Sequence, residues 1–167
     1  MMLGMSLSTF TIFHVIISLI AILAGFVLMF AMLGSNRLPG LTAIFLLFTI
    51  LTSVTGFMFP FEQLLPSHML AIISLVLLAV ACVALYGMKL GGPWRWVYVV
   101  TAMASLYINV FVLVVQAFLK TPSLHELAPG NPPNGPAFAA VQGVVLVFFV
   151  VMIIAEVRRF KPALVSA

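Results

Sequence analysis

The sequence predicts an all-α membrane protein, a bundle of five transmembrane helices, and three observations carry that prediction. Hydrophobic residues make up 65% of the 167-residue chain, and its mean hydropathy is +1.33. Charged residues make up only 6%, against about 25% in an average soluble domain. The apolar residues also fall into five long runs separated by Gly, Pro and Asn breaks. Each run suffices for the roughly 20 helical residues that cross a hydrocarbon core about 30 Å thick.

The first span is expected over about 10–33. No Lys or Arg precedes Arg37 and the run is longer than the apolar region of a signal peptide, so it is expected to remain in the mature protein. The break from Gly34 to Gly40, with Asn36 and Pro39, sets up the second span over about 41–59. Pro60 and Pro66 bracket the next break, and the third span follows over about 69–88. Gly91, Gly92 and Pro93 end it, and the fourth span occupies about 96–119. Residues 120–136 hold five of the ten prolines with Gly130, Asn131, Asn134 and Gly135, the composition of an irregular, Pro-rich periplasmic loop. The fifth span closes the chain over about 137–157, and residues 1–167 read as a single helical membrane domain.

Alternating these spans across a membrane puts Arg37, Lys89, Arg95, Arg158, Arg159 and Lys161 on one face and leaves Lys120 alone on the other. Cytoplasmic loops carry the excess of Lys and Arg, so the N-terminus is expected outside and the C-terminus in the cytoplasm. Trp94 and Trp96 flank Arg95 at the inner boundary, where amphipathic rings settle. So few bases cannot build a phosphate-neutralising face, which excludes a nucleic-acid partner. The single Cys82 excludes an internal disulfide or a cysteine metal centre.

In lipid, polar side chains turn toward other helices, water or a ligand, so the few that occur mark the interior. On the fourth span Thr101, Ser105, Asn109, Gln116 and Lys120 recur at spacings of four, four, seven and four, one helical stripe. Asn109 lies about 16 Å along the axis from Lys120, near the midplane. The tetrapeptide Ile-Ile-Ser-Leu occurs at Ile16 to Leu19 and again at Ile72 to Leu75, a hint of repeated helical hairpins. All three histidines, His14, His68 and His125, fall at the outer face with Glu62 and Glu126. Glu156 is the only acid on the inner side, and Arg159 at i+3 makes a surface ion pair the expectation there.

His14, His68, Asn109 and Gln116 are therefore the candidate binding residues. His14 and His68 stand at similar depth on spans of the same direction, with Phe57, Phe59 and Phe61 at their level, an arrangement that admits axial ligation of a b-type haem. Asn109 and Gln116 would shape the edge of that pocket or of a quinone site. No HxxxH or ExxH pair marks a metal site, and GxSxG, GxGxxG and phosphate-loop motifs are missing, so no catalytic residue is assigned.

Four stretches carry a resemblance. Thr52-Ser53-Val54-Thr55-Gly56-Phe57-Met58-Phe59-Pro60-Phe61, Pro66-Ser67-His68, Trp94-Arg95-Trp96-Val97-Tyr98-Val99 and Asn109 to Phe118 with Lys120 and Pro122 resemble a family of short multi-span inner-membrane proteins of proteobacteria. The resemblance covers nearly the whole chain. It implies a multi-pass protein of the bacterial inner membrane and brings no established activity with it.

The function expected first is that of a non-enzymatic accessory or self-associating subunit, in the lipid bilayer as a homo-oligomer or beside a larger membrane complex. A haem- or quinone-binding redox protein with its site in the outer half is the alternative, and a small-solute channel along the Ser105, Asn109 and Gln116 stripe is the third reading.

Overall fold

A computed structural model describes residues 3–60, 63 and 66–162. Six helices follow in the order α1 (Leu7–Leu33), α2 (Pro39–Phe57), α3 (Pro66–Cys82), α4 (Trp94–Lys120), α5 (Pro122–Leu127) and α6 (Pro136–Arg159), with no strand among the described residues. Five of them are long and apolar enough to cross a membrane, α3 counting with the turn that continues it to Gly87. The expected all-α bundle of five spans is the fold observed, and the chain is a multi-pass membrane protein by length and composition of its helices.

Local chemistry sets the helix ends. α1 begins earlier than the apolar run because Ser6 caps it, its hydroxyl accepting from the Thr9 amide at 3.3 Å. Pro39, Pro122 and Pro136 open α2, α5 and α6, where a fixed φ suits the first turn and the missing N–H costs nothing. The third span is not a uniform α-helix: Val83–Gly87 is a π turn, in which the Met88 amide reaches back five residues to the Val83 carbonyl at 2.8 Å. Residues 120–136 also depart from an irregular loop. Pro122 nucleates α5, whose first turn closes on the Thr121 carbonyl through the Leu124 and His125 amides.

α4 is the central helix, touching α1, α2, α3 and α6. Its Tyr98, Ala102, Met103 and Leu106 are buried against Leu28, Met29 and Phe45. Membrane helices gain little from apolar burial as such and associate through close packing and small side chains. Gly25 is the tightest such point: a Cβ there would lie 2.6 Å from Leu106 Cδ1 and 2.9 Å from Phe45 Cε2. α1, α2 and α4 thus lock together at mid-depth. Toward the end that carries His14 and His68, α1, α2, α3 and α4 line a cavity.

At the opposite end the polar groups are tied to backbone. Arg95 Nη1 donates to the Val157 carbonyl at 2.8 Å and to the Phe160 carbonyl, satisfying the end of α6. Ser35 Oγ donates to the Arg159 carbonyl at 2.7 Å and accepts from the Lys161 amide at 3.1 Å, joining the α1–α2 turn to the same end. Glu156 corrects the expected surface ion pair. Its side chain is fully buried and neither carboxyl oxygen has a hydrogen-bond partner among the described residues. Arg158 and Arg159 are exposed, so the helix presents them to a different side from Glu156.

Candidate functional site

The cavity between α1, α2, α3 and α4 has a volume of about 580 Å³, within the roughly 300–1,000 Å³ of small-molecule sites. His14, His68, Asn109 and Gln116, on three different helices, all line it. Val15, Leu19, Leu113 and Gln116, on the sides of α1 and α4, line it as well and are exposed, as are Pro60, Ser67 and Lys120 at the end of the bundle. Among the described residues, Lys120 is the one Lys or Arg of the lining, and no described Asp or Glu lines it.

His14 projects from α1 toward α2, where its Nδ1 lies 2.7 Å from Thr55 Oγ1. Thr55 Oγ1 also lies 2.7 Å from the Leu51 carbonyl and 3.2 Å from the Thr52 carbonyl of its own helix. When its one proton goes to a carbonyl, Oγ1 accepts from His14 Nδ1–H, and Nε2 of the neutral ring then carries the lone pair. Phe59 packs edge-on against the imidazole, with ring centres 5.2 Å apart. His68 lies on α3, buried, with the Phe57 ring 5.6 Å away at a tilt. Ser53 Oγ donates to Ser74 Oγ at 3.2 Å, tying α2 to α3 within the wall.

Asn109 is 8% exposed, and its Nδ2 has no hydrogen-bond partner among the described residues. Leaving such a donor unsatisfied costs about 1–3 kcal/mol. The other buried amide, Gln142 on α6, was not singled out by the sequence. Its Nε2 donates to the Phe111 carbonyl of α4 at 3.1 Å and holds the two helices in register. Asn109 therefore differs from Gln142: its donor is enclosed by the protein without a partner, while the residue as a whole lines the cavity.

The polar stripe of α4 splits at this depth. Asn109, Gln116 and Lys120 line the cavity, whereas Thr101 and Ser105 are buried and return their hydroxyls to the Val97 and Thr101 carbonyls at 2.7 and 2.9 Å. Leu106 and Phe45, packed against Gly25, lie below the polar wall. The stripe expected to carry a channel thus ends in packed side chains. The two Ile-Ile-Ser-Leu copies place Ser18 and Ser74 on walls of the same cavity.

The remaining outer residues do not join the site. His125 and Glu126 are exposed on α5 and neither lines the cavity. Phe61 and Glu62 lie outside the described residues. Among the described residues no group of three or more His, Cys, Asp or Glu side chains stands close enough to hold a metal ion. Thr55 is the residue that sequence reasoning missed. It lies in the Thr-Gly-Phe stretch of the second span, and only the packing of α1 on α2 shows that it meets His14.

No family model, no curated protein and no solved structure matches the chain.

Proposed function

We propose that the protein is a non-enzymatic ligand-binding subunit of the bacterial inner membrane, holding an amphipathic molecule in the cavity between α1 and α4. One observation carries this reading: His14, His68, Asn109 and Gln116, from three helices, line one cavity of about 580 Å³ whose lining includes the exposed, apolar Leu19 and Leu113. A molecule dissolved in the surrounding lipid enters past such apolar side chains, and its polar head meets the His14, His68, Asn109 and Gln116 side chains of the lining. The rim supports the same reading, since exposed Leu19 and Leu113 suit an apolar tail.

The excess of bases at the end of the bundle opposite the cavity supports an outer-leaflet position for the site and an N-terminus outside. Membership of the proteobacterial family that the sequence resembles is part of the proposal, as is work beside a larger complex or as a homo-oligomer. Mass spectrometry of organic extracts tests the central reading. Protein purified in mild detergent should carry one amphipathic species in fixed ratio to protein, and Asn109→Leu should lose it. An extract equally empty for both, or equally loaded for both, would count against the cavity.

A b-type haem is a second reading, favoured by the placement of both His14 and His68 on one cavity flanked by Phe57 and Phe59.

A further inference from the structure

The polar groups of the cavity wall are engaged or enclosed at its deep end and open at its outer end. Thr52 Oγ1 donates to the Phe48 carbonyl at 2.7 Å, Ser53 donates to Ser74, and Asn109 Nδ2 is enclosed by the protein. Ile22, Ile108 and Val112 stand among them, so an occupant meets mainly hydrocarbon at that depth. Lys120, the last residue of α4, lines the other end of the cavity, where it is exposed and forms no ion pair among the described residues. Leu113, two turns earlier on the same helix face, lies about 10 Å deeper along the axis.

The distribution of charge sets Lys120 apart. Of the seven Lys and Arg residues, Arg37, Lys89, Arg95, Arg158, Arg159 and Lys161 belong to the opposite end of the bundle, and Lys120 alone stands at the end with the cavity. No described Asp or Glu lines the cavity to neutralise it, and Glu126 on α5 is exposed outside the lining. The wall therefore offers one positive charge at the membrane boundary and an apolar flank below it.

Resting on the ligand-binding reading above, we infer that the occupant is an amphiphile with an acidic head, a carboxylate or a phosphate diester, whose single negative charge pairs with Lys120. Its hydrocarbon chain runs inward past Leu113 and Leu19. The charge pair sits where the head keeps part of its water; carried to the depth of Asn109, the same head would lie uncompensated in a medium of low dielectric. A long-chain alcohol fills the apolar part equally well and gains nothing from Lys120. A zwitterionic head brings its own ammonium to its phosphate, and a cationic head is repelled.

The test is binding of three spin-labelled probes of one chain length to the full chain in phosphatidylcholine nanodiscs: a fatty acid in its ionised form, the matching alcohol and a phosphatidylglycerol. At least one acidic probe should bind roughly fivefold more tightly than the alcohol, the worth of one exposed ion pair, and the excess should shrink as salt is added. Lys120→Gln should remove the excess and leave alcohol binding unchanged, which also shows that the variant is folded, and Lys120→Arg should keep it. An excess for the fatty acid alone identifies a free carboxylate as the head, and one for phosphatidylglycerol alone a lipid phosphate. Alcohol bound as tightly as both acids, or an excess that survives in Lys120→Gln, overturns the acidic head and leaves the ligand-binding reading standing. If none of the three probes binds, that reading falls with it.

Discussion

His14 Nδ1 lies 2.7 Å from Thr55 Oγ1, and the hydroxyl proton is spent on the carbonyl of Leu51, one turn back on its own helix. A threonine whose hydroxyl donates to its own helix offers the imidazole an acceptor. Replacing it by valine keeps the shape and removes that acceptor. Thr55→Val should cost about 1 kcal/mol of stability, and His14 should change from one tautomer to a mixture. Nitrogen-15 histidine spectra read this directly, because the chain has only three histidines. A single unchanged tautomer in the variant would show that Thr55 does not set it.

Asn109 is predicted to trade stability for binding. Asn109→Leu removes a buried donor without a partner, so the ligand-free variant should be more stable than the parent by about 1 kcal/mol. Thermal unfolding after delipidation, followed by helical circular dichroism, gives the comparison. A variant less stable than the parent would mean that the amide is already paired in the empty protein.

Gly25 holds the close approach of α1 to α2 and α4. Alanine there would put a methyl group 2.6 Å from Leu106 Cδ1 and 2.9 Å from the Phe45 ring, so one of them must move. Gly25→Ala should cost about 1–3 kcal/mol, and Gly25→Val more. Leu106→Ala in the Gly25→Ala background should recover part of the loss, a coupling that denaturation of the four proteins would measure. Strict additivity would place the strain elsewhere.

The buried Glu156 carboxyl and the exposed Arg159 make a paired prediction. Arg159→Ala should change stability by less than about 0.5 kcal/mol, since it forms no ion pair with Glu156. Glu156→Met puts an apolar side chain of similar length into a site that gives the carboxyl no partner, and should raise the unfolding midpoint. A loss on Arg159→Ala as large as a buried ion pair would restore the contact that the sequence suggests.

Much of this architecture is legible in the sequence, and the illegible part has physical reasons. Hydropathy and turn chemistry place all five spans, because a bilayer leaves no other fate for runs such as Phe10 to Leu33. The spacing of Asn109 and Gln116 puts them on one face, and both line one cavity with His14 and His68. Facing is harder to read than span position. An i, i+3 acid–base pair looks like a surface bridge, yet Glu156 is turned inward and Arg159 outward, since the burying face of α6 depends on which neighbours it meets. The same holds for Thr55, whose value lies in a partner 41 residues away. The π turn at Val83–Gly87 and the short helix α5 leave no periodic apolar signal of their own.

A reduced-minus-oxidised visible spectrum of the purified protein separates the two ligand readings. The amphipathic-ligand reading predicts no haem bands from protein expressed with haem available. Sharp b-type bands in proportion to protein, lost in both His14→Ala and His68→Ala, would replace it with the haem reading.

The most direct test of the cavity is an amide titration. The chain has four asparagines, Asn36, Asn109, Asn131 and Asn134, so nitrogen-15 asparagine labelling yields four side-chain amide pairs, with Asn109→Leu identifying one. Titration of the nanodisc protein with the amphipathic species that co-purifies with it should shift the Asn109 pair and leave the other three in place. An Asn109 pair that stays fixed while the ligand saturates the protein would contradict the assignment of this amide to ligand binding.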